Sequence, residues 1–256
     1  MQPCVDPDGV LIDAGSDCET ARRLPERLAR VYERIVGAGG DPARTKVVAV
    51  TKGLGTEAVK AAVENGLSDI GENYARELLS KADDLSRSDT AIAEVTPRVR
   101  PSKFDGDETS LRWHFLGSIQ RNKVRSLSGR VYCWQGVSRR VEAEEISRWA
   151  PGAQVMVQVA LEPSETRNGC LPARVPELVR SLADLDVVVT GLMAVGPTDP
   201  TTSRAAFRIV REIADDLDLV ERSMGMTADL EDAVKEGATM LRVGTGLFGE
   251  RPRRGG

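Results

Sequence analysis

From Val47 onward, short β-branched runs alternate with longer stretches of helical periodicity, the pattern of successive strand–helix units around a parallel sheet. Eight runs read as strands: Val47 to Thr51, Asp69 to Gly71, Trp113 to Leu116, Val131 to Trp134, Val155 to Leu161, Val187 to Leu192, Leu219 to Arg222, and Met240 to Val243. Helical stretches follow nearly every one. Glu57 to Asn65 is closed by Gly66, and Thr202 to Asp215 carries Ala206, Phe207, Val210 and Ile213 on one face. Eight such units predict an α/β fold, a single (β/α)₈ TIM barrel. The seventh run is the weakest because it carries charge, and an open doubly wound sheet would account for the other seven equally well.

Cys18 to Val36 reads as an N-terminal helix before the barrel, ending in the glycines of Gly37 to Gly40. Residues 1–16 read as a loose extension, 17–251 as the barrel and 252–256 as a tail. Ser86 to Ser110 contains Pro97, Pro101 and polar clusters with little periodicity, so 86–110 is expected to be a mobile insertion.

The 256 residues are 41% hydrophobic and 29% charged, which suits an ordinary globular core. The net charge of −4 argues against a nucleic-acid partner, since phosphate binding needs clustered cations; Arg251, Arg253 and Arg254 read as a solvated tail. No apolar run is long enough to span a bilayer and the N-terminus lacks signal-peptide features, so a cytoplasmic protein is expected, without membrane partners. Cys4, Cys18, Cys133 and Cys170 show no CxxC spacing, and reduced thiols are expected, although Cys4 and Cys18 have the option of pairing. His114 is the only histidine, which removes most zinc-hydrolase and His-based triad mechanisms; no metal is expected. Its place on a strand beside Trp113 reads as a packed core position.

Chemistry in a barrel gathers where the strands end. The first run delivers Thr51 and Lys52, the second Glu72 and Asn73, and the third Gly117 followed by Gln120, Asn122 and Lys123. The last two deliver Ser223, Gly225 and Thr227, then Arg242, Gly244 and Thr245. A lysine after an apolar strand can sit in a desolvated mouth, where burial disfavours its charge and leaves an amine suited to Schiff-base formation. The plain alternative is a solvated lysine opening a loop. Barrels commonly bind phosphate through the loops after strands seven and eight, and RVGTGLFGE fits that place. Ser223, Gly244 and Thr245 are the expected principal contacts, because Asp229, Glu231 and Asp232 would repel a phosphate on the helix after Thr227. Glycines that merely turn the chain and a Thr227 that merely caps a helix would look the same. Met193, Met224 and Met226 would fill apolar space near the mouth, and Asn73 would orient a ligand oxygen or cap the following helix.

VVAVTKG, DIGENYARELL, WHFLGSIQRNK, NGC, GLMAVGP, SMGMTADLEDAVKEGATMLRVGT and LFGER stand in order from about residue 20 to Arg251. With these motifs the chain resembles the pyridoxal phosphate homeostasis protein family, the alanine racemase N-terminal-domain-like proteins that bind pyridoxal 5′-phosphate (PLP). The resemblance implies a fold-type III PLP barrel with Lys52 as the aldimine lysine, Arg242 beside the pyridine nitrogen, Ser223, Gly244 and Thr245 around the phosphate, and Asn73 nearby. A guanidinium can only donate hydrogen bonds, so Arg242 would keep the ring nitrogen unprotonated and the ring a poor electron sink. An ion pair with a neighbouring acid is the alternative for Arg242. Two segments depart from the family pattern: TKG stands where SKT is common, and WQG replaces a segment containing an Asp-Ser pair.

The resemblance implies a protein of intracellular PLP homeostasis that holds the cofactor on Lys52 and buffers it or passes it to PLP-requiring apoenzymes, without robust turnover. A slow amino-acid racemase is the main alternative. The second acid or base of a racemase comes from an additional C-terminal β domain in a dimer, and this sequence stops just after the eighth unit, which favours a monomer. A phosphate-ester barrel enzyme using Lys52 for a Schiff base is the other alternative. Lys123 either offers a second, surface PLP site or solvates a helix.

Overall fold

The computed structural model describes residues 14–87, 111–162 and 168–250. Eight parallel strands close into one barrel, each paired with its neighbours in chain order and the last with the first. The strands are β1 (Lys46–Val50), β2 (Asp69–Glu72), β3 (Arg112–Phe115), β4 (Val131–Val137), β5 (Ala153–Val159), β6 (Val187–Ala194), β7 (Glu221–Met224) and β8 (Met240–Val243). Closure is made by Lys46 to Ala49 of β1 in register with Met240 to Val243 of β8. The open-sheet alternative is therefore excluded.

Helices α2 (Thr56–Glu64), α3 (Ala75–Arg87), α4 (Arg121–Leu127), α5 (Arg140–Trp149), α6 (Val175–Ser181), α7 (Ser203–Asp216), α8 (Leu230–Lys235) and α9 (Thr245–Phe248) follow the strands. Gly66 ends the α2 segment at φ 80°, a conformation that needs glycine. After β8 the described residues form only the four-residue α9, too short to cover the β8–β1 wall. That wall is covered by α1 (Ala14–Gly37), which packs against α2, α8 and α9. Its Leu24, Leu28, Val31 and Ile35 recur at helical spacing and are all buried. Burial of each contributes about 1.5–3 kcal/mol.

The apolar interior forms two layers, as strand alternation requires. Outward residues such as Val47, Ala49, Trp113, Trp134, Val155 and Leu241 pack against the helices, while Val48, Cys133, Met156, Met193 and Met240 fill the barrel. Burial pushes the Cys133 thiol up to about 12, which leaves it inert.

The helix predicted from Cys18 begins earlier, at Ala14, and Ser86 and Arg87 belong to α3. The extension up to residue 13, the remainder of the expected insertion (88–110) and the tail from 251 lie outside the described residues, as do the side chains of Cys4 and Cys18. The seventh strand runs from Glu221 to Met224, two residues later than its predicted span. Its charges did not preclude a strand because each has a partner: Glu221 bonds Lys46 and Thr239, and Arg222 bonds Asp215.

Candidate functional site at the carboxyl-terminal rim

β1 carries Val48 and Val50 against the space left by the missing side chain of Gly71, where a Cβ would lie 3.0 and 3.3 Å from them. Two residues on, Lys52 is half-buried at the rim. The residues beside it are fixed from outside the barrel. Thr51 is fully buried, and its hydroxyl donates to Glu72 Oε1 at 2.6 Å while its carbonyl accepts from Lys81 Nζ at 2.7 Å. Lys81 also donates to Glu72 Oε1 at 2.5 Å. Burial pushes the Glu72 carboxyl up, opposed by Lys81 and the Thr51 hydroxyl. On the other side, Gly53 sits at φ 72° with its N–H donating to Glu77 Oε2 at 2.6 Å. A side chain at that φ would be strained, which gives the glycine of TKG a reason.

The sequence reading placed Glu72 at the strand end without a partner and missed Lys81 and Glu77 as parts of the site. The available signal was Lys81 itself, a lysine on the buried face of α3 together with Leu78, Ala82 and Leu85.

Across the β1–β8 seam, Arg242 pairs in register with Val48 and is 4% exposed. Its Nη1 donates to the Ser223 carbonyl at 2.5 Å and to Ser223 Oγ at 3.0 Å, and its Nη2 donates to the Ala194 carbonyl at 2.7 Å. No carboxylate among the described residues forms an ion pair with it, so the ion-pair alternative fails. Burial brings the guanidinium down to about 10, against the upward pull of Asp229.

Ser223, expected at the mouth, instead lies inside β7 and is fully buried. The two-residue offset of that strand is the reason. Its hydroxyl donates to Gln135 Oε1 at 2.7 Å, while accepting from Arg242. The mouth hydroxyls are those of Thr227 and Thr245, whose Oγ1 atoms are 3.0 Å apart. Thr227 Oγ1 also accepts from the Gly246 N–H at 2.9 Å. A Cβ on Gly246 would lie 2.9 Å from Val243 and 3.1 Å from Thr227 Oγ1, so the close approach of the two loops requires glycine there. Gly244 precedes α9, whose N-terminus has no side-chain cap. α8 has Asp229 at its N-cap position and no side-chain cap, so Thr227 does not cap it.

Asp229 holds the loop before α8 from within: its Oδ1 accepts the Met226 N–H at 2.6 Å, and it packs against Gly196. Arg34 of α1 holds it from outside, donating to the Thr227 carbonyl at 2.8 Å and to both Glu231 oxygens at 2.6 and 2.7 Å. That pairing keeps Glu231 below its ordinary range. Two of the carboxylates expected to repel a phosphate are thus already engaged.

Below the rim a polar chain crosses the barrel. Beyond Ser223 and Gln135, Gln135 Nε2 lies 2.8 Å from His114 Nδ1 and 3.0 Å from Met240 Sδ, and His114 Nε2 lies 2.8 Å from Asp69 Oδ1. Arg112 donates to both Asp69 oxygens, at 2.8 and 2.7 Å. Burial raises the Asp69 carboxyl, but the bonds from Arg112 and His114 outweigh it and hold the group well below the usual carboxylate range. His114 is buried, as expected, yet within a polar chain. Gln135 faces inward by ordinary alternation, with Cys133 inside and Trp134 outside, and a bulge follows it: between Trp134 and Val137, β4 has one residue more than the facing stretch of β5. Gly136 completes it, since a Cβ there would meet the Gly117 carbonyl at 2.4 Å. The departure at WQG is this bulge.

Asn73 is half-buried, with no side-chain hydrogen bond among the described residues, so it does not cap α3. Met193 and Met224 are buried in strands, and only Met226 is exposed. Lys123 lies exposed on α4. A cavity of about 200 Å³, lined by Lys46, Asp69, Arg112, His114, Tyr132 and Glu221, opens at the opposite end of the barrel from Lys52. Among the described residues no helix is long and apolar enough to cross a membrane, and no cluster of three His, Cys, Asp or Glu is placed to hold a metal.

The family model for the alanine racemase N-terminal domain matches residues 25–252. The chain is 35% identical over 242 residues to the pyridoxal phosphate homeostasis protein of Pseudomonas aeruginosa, covering 90% of this chain and 95% of that one. It is 33% identical to the protein of the same name from Aquifex aeolicus, over 91% and 98% of the two chains. Among solved structures, PipY of Synechococcus elongatus with PLP bound superposes with a TM-score of 0.72 at 30% identity, covering 88% of this chain and all of that one. An alanine racemase of Clostridium difficile superposes with a TM-score of 0.64 at 14% identity, over 89% of this chain and 60% of that one, a likeness of fold alone.

Proposed function

Because the chain belongs to the pyridoxal phosphate homeostasis protein family, within the alanine racemase N-terminal-domain group, we propose that it binds PLP covalently at Lys52 and serves to hold and deliver the cofactor. The observation that carries this reading is Arg242: a buried guanidinium with no carboxylate partner, one strand from Lys52, beside a rim of hydroxyls and glycines. These residues fit the group. PLP when bound supplies an aldehyde that a lysine amine captures with loss of water, and a ring able to take up electron density.

Lys52 is the capturing amine, and the Thr51 and Gly53 contacts fix the backbone from which it projects. Thr227, Thr245 and the backbone of Gly244 and Gly246 form the phosphate cradle, so Thr227 takes the role expected of Ser223. Each charge-assisted hydrogen bond there contributes about 1.5–3 kcal/mol. Ser223 instead supports Arg242 from below. Arg242 faces the ring nitrogen as a donor, which withholds a proton from it and disfavours electron uptake by the ring. This favours holding over turnover. Asn73, with no side-chain partner among the described residues, is available to a ring substituent, and Met193, level with Ser223, would pack against the ring.

The test is the absorption spectrum of the purified protein with PLP, before and after borohydride, with peptide mapping of the reduced product. A pyridoxyl group on Lys52, lost in Lys52→Ala, is expected; PLP-saturated protein without an adduct there would overturn the assignment. Transfer to a PLP-requiring apoenzyme, faster than from free Lys52→Ala mixtures, is expected of a delivery protein. Interconversion of L- and D-alanine at the rate of a dedicated racemase would replace this reading with the enzymatic one.

A further inference from the structure

Arg242 forms no ion pair among the described residues, and Asp229 acts on it only through space, yet a chain of hydrogen bonds below it leads to a carboxylate. Arg242 Nη1 can only donate to Ser223 Oγ. The Ser223 hydroxyl then donates to Gln135 Oε1, and the amide nitrogen of Gln135 donates to His114 Nδ1. His114 must therefore accept at Nδ1 and carry its proton at Nε2, which donates to Asp69. The second hydrogen of the Gln135 amide points at Met240 Sδ, a weak acceptor, and this sets the amide orientation; a carbonyl oxygen in that place would face the sulfur lone pairs. Every bond points the same way, from a buried cation on β8 through β7, β4 and β3 to a carboxylate on β2.

We infer that Ser223, Gln135, His114 and Asp69 are positioning residues for Arg242, acting as one polarised hydrogen-bond chain that fixes its guanidinium against the PLP ring nitrogen. Aligned hydrogen bonds in a low-dielectric interior strengthen one another, so the chain adds to the hold on Arg242 although Asp69 itself is paired with Arg112. The chain explains three features together. These are a glutamine facing into the barrel, a serine inside β7 engaged by both Arg242 and Gln135, and the sole histidine bound at both nitrogens. The inference rests on the reading that Arg242 faces the ring nitrogen of bound PLP.

Two measurements separate the inference from that reading. The first uses the protein without PLP: long-range ¹H–¹⁵N correlation of the histidine ring, unambiguous because His114 is the only one. The Nε2–H tautomer is expected, and an Nδ1–H or doubly protonated ring would refute the direction of the chain. The second loads the protein with PLP labelled with ¹⁵N in the ring and compares wild type with Gln135→Leu and Asp69→Asn. Both variants are expected to move the ring-nitrogen resonance downfield, as its hydrogen bond from Arg242 loosens, while borohydride still traps the pyridoxyl group on Lys52. Met156→Leu, inside the barrel but outside the chain, should leave the resonance in place. Trapping at Lys52 with an unmoved resonance in both chain variants sinks the inference and leaves the PLP reading standing. Absence of trapping in wild type sinks the PLP reading and, with it, the role at the ring; the tautomer still decides whether the chain exists. If Gln135→Leu does not fold, Asp69→Asn, the farthest link, carries the test.

Discussion

Lys81→Met removes the ammonium that holds both Glu72 and the Thr51 carbonyl. Glu72 is fully buried, its Oε2 has no partner, and its Oε1 would keep only the Thr51 hydroxyl. An uncompensated carboxylate there protonates in the folded state in preference to remaining charged. The largest cost is then that of protonation from the ordinary value of 4.5, about 1.4 kcal/mol per pH unit, or about 3 kcal/mol at pH 7. Loss of a donor to the buried Thr51 carbonyl adds about 1 kcal/mol. The folded-state pKa of Glu72 in this variant lies above its unfolded value, so the electrostatic penalty is absent below 4.5 and grows as pH rises toward the folded value. Because the wild-type Glu72 carboxyl is itself pushed up, urea unfolding should show a deficit of at most about 4 kcal/mol at pH 7 and a smaller one, at most about 2 kcal/mol, near pH 5. Adding Glu72→Gln should remove the pH dependence of the deficit. A deficit that is the same at both pH values, or that stays below about 1 kcal/mol, would refute the claim that this pair is buried, charged and coupled to Thr51.

Three further outcomes follow from the same geometry. Thr227→Val should weaken PLP binding about tenfold, the loss of one hydrogen bond to a charged group, and narrow the preference for PLP over pyridoxal in a binding titration. Ser223→Ala should leave that preference unchanged; narrowing in both would return Ser223 to the phosphate. Gly53→Ala forces a side chain into φ 72° beside Lys52, so it should cost about 1 kcal/mol in denaturant unfolding and slow trapping of PLP by borohydride at Lys52; unchanged stability would mean the turn relaxes. Asp69 is held low by Arg112 and His114, so it stabilises the fold above its unfolded value of 3.8, and that contribution is lost as pH falls through the folded value. Asp69→Asn should remove about 2–3 kcal/mol at pH 7 and flatten the acid limb of the stability profile; an unaltered limb would show that other carboxylates dominate acid unfolding.

What the sequence disclosed, and what it concealed, divides along the barrel wall. Apart from β4 and β7, the strands could be read to within two residues at each end, because alternation and the glycine stop at Gly66 are local signals. Lys52 and the glycines after β8 were legible for the same reason: the barrel rule assigns chemistry to strand ends, and those ends were clear. β7 was not, because ERSM owes its strand state to partners on β1, α7 and the turn before β8, which pair Glu221 and Arg222 across 175, seven and 18 residues. Local charge argued against a strand that tertiary pairing made acceptable. A two-residue displacement was enough to carry Ser223 from barrel interior to rim, and with it the choice of phosphate ligand. Gln135 was hidden because the predicted fourth strand stopped at Trp134, whereas β4 runs on to Val137 through a one-residue bulge that has no period of its own. The Glu72–Lys81 pair was hidden by chemistry: a lysine among apolar helix positions reads as a fault in the pattern until its carboxylate, nine residues away, is seen beneath it. The residues proposed to catch a ligand stand at strand ends, where local pattern finds them. Those that hold them in place are set by partners far along the chain, and only the closed barrel brings these together.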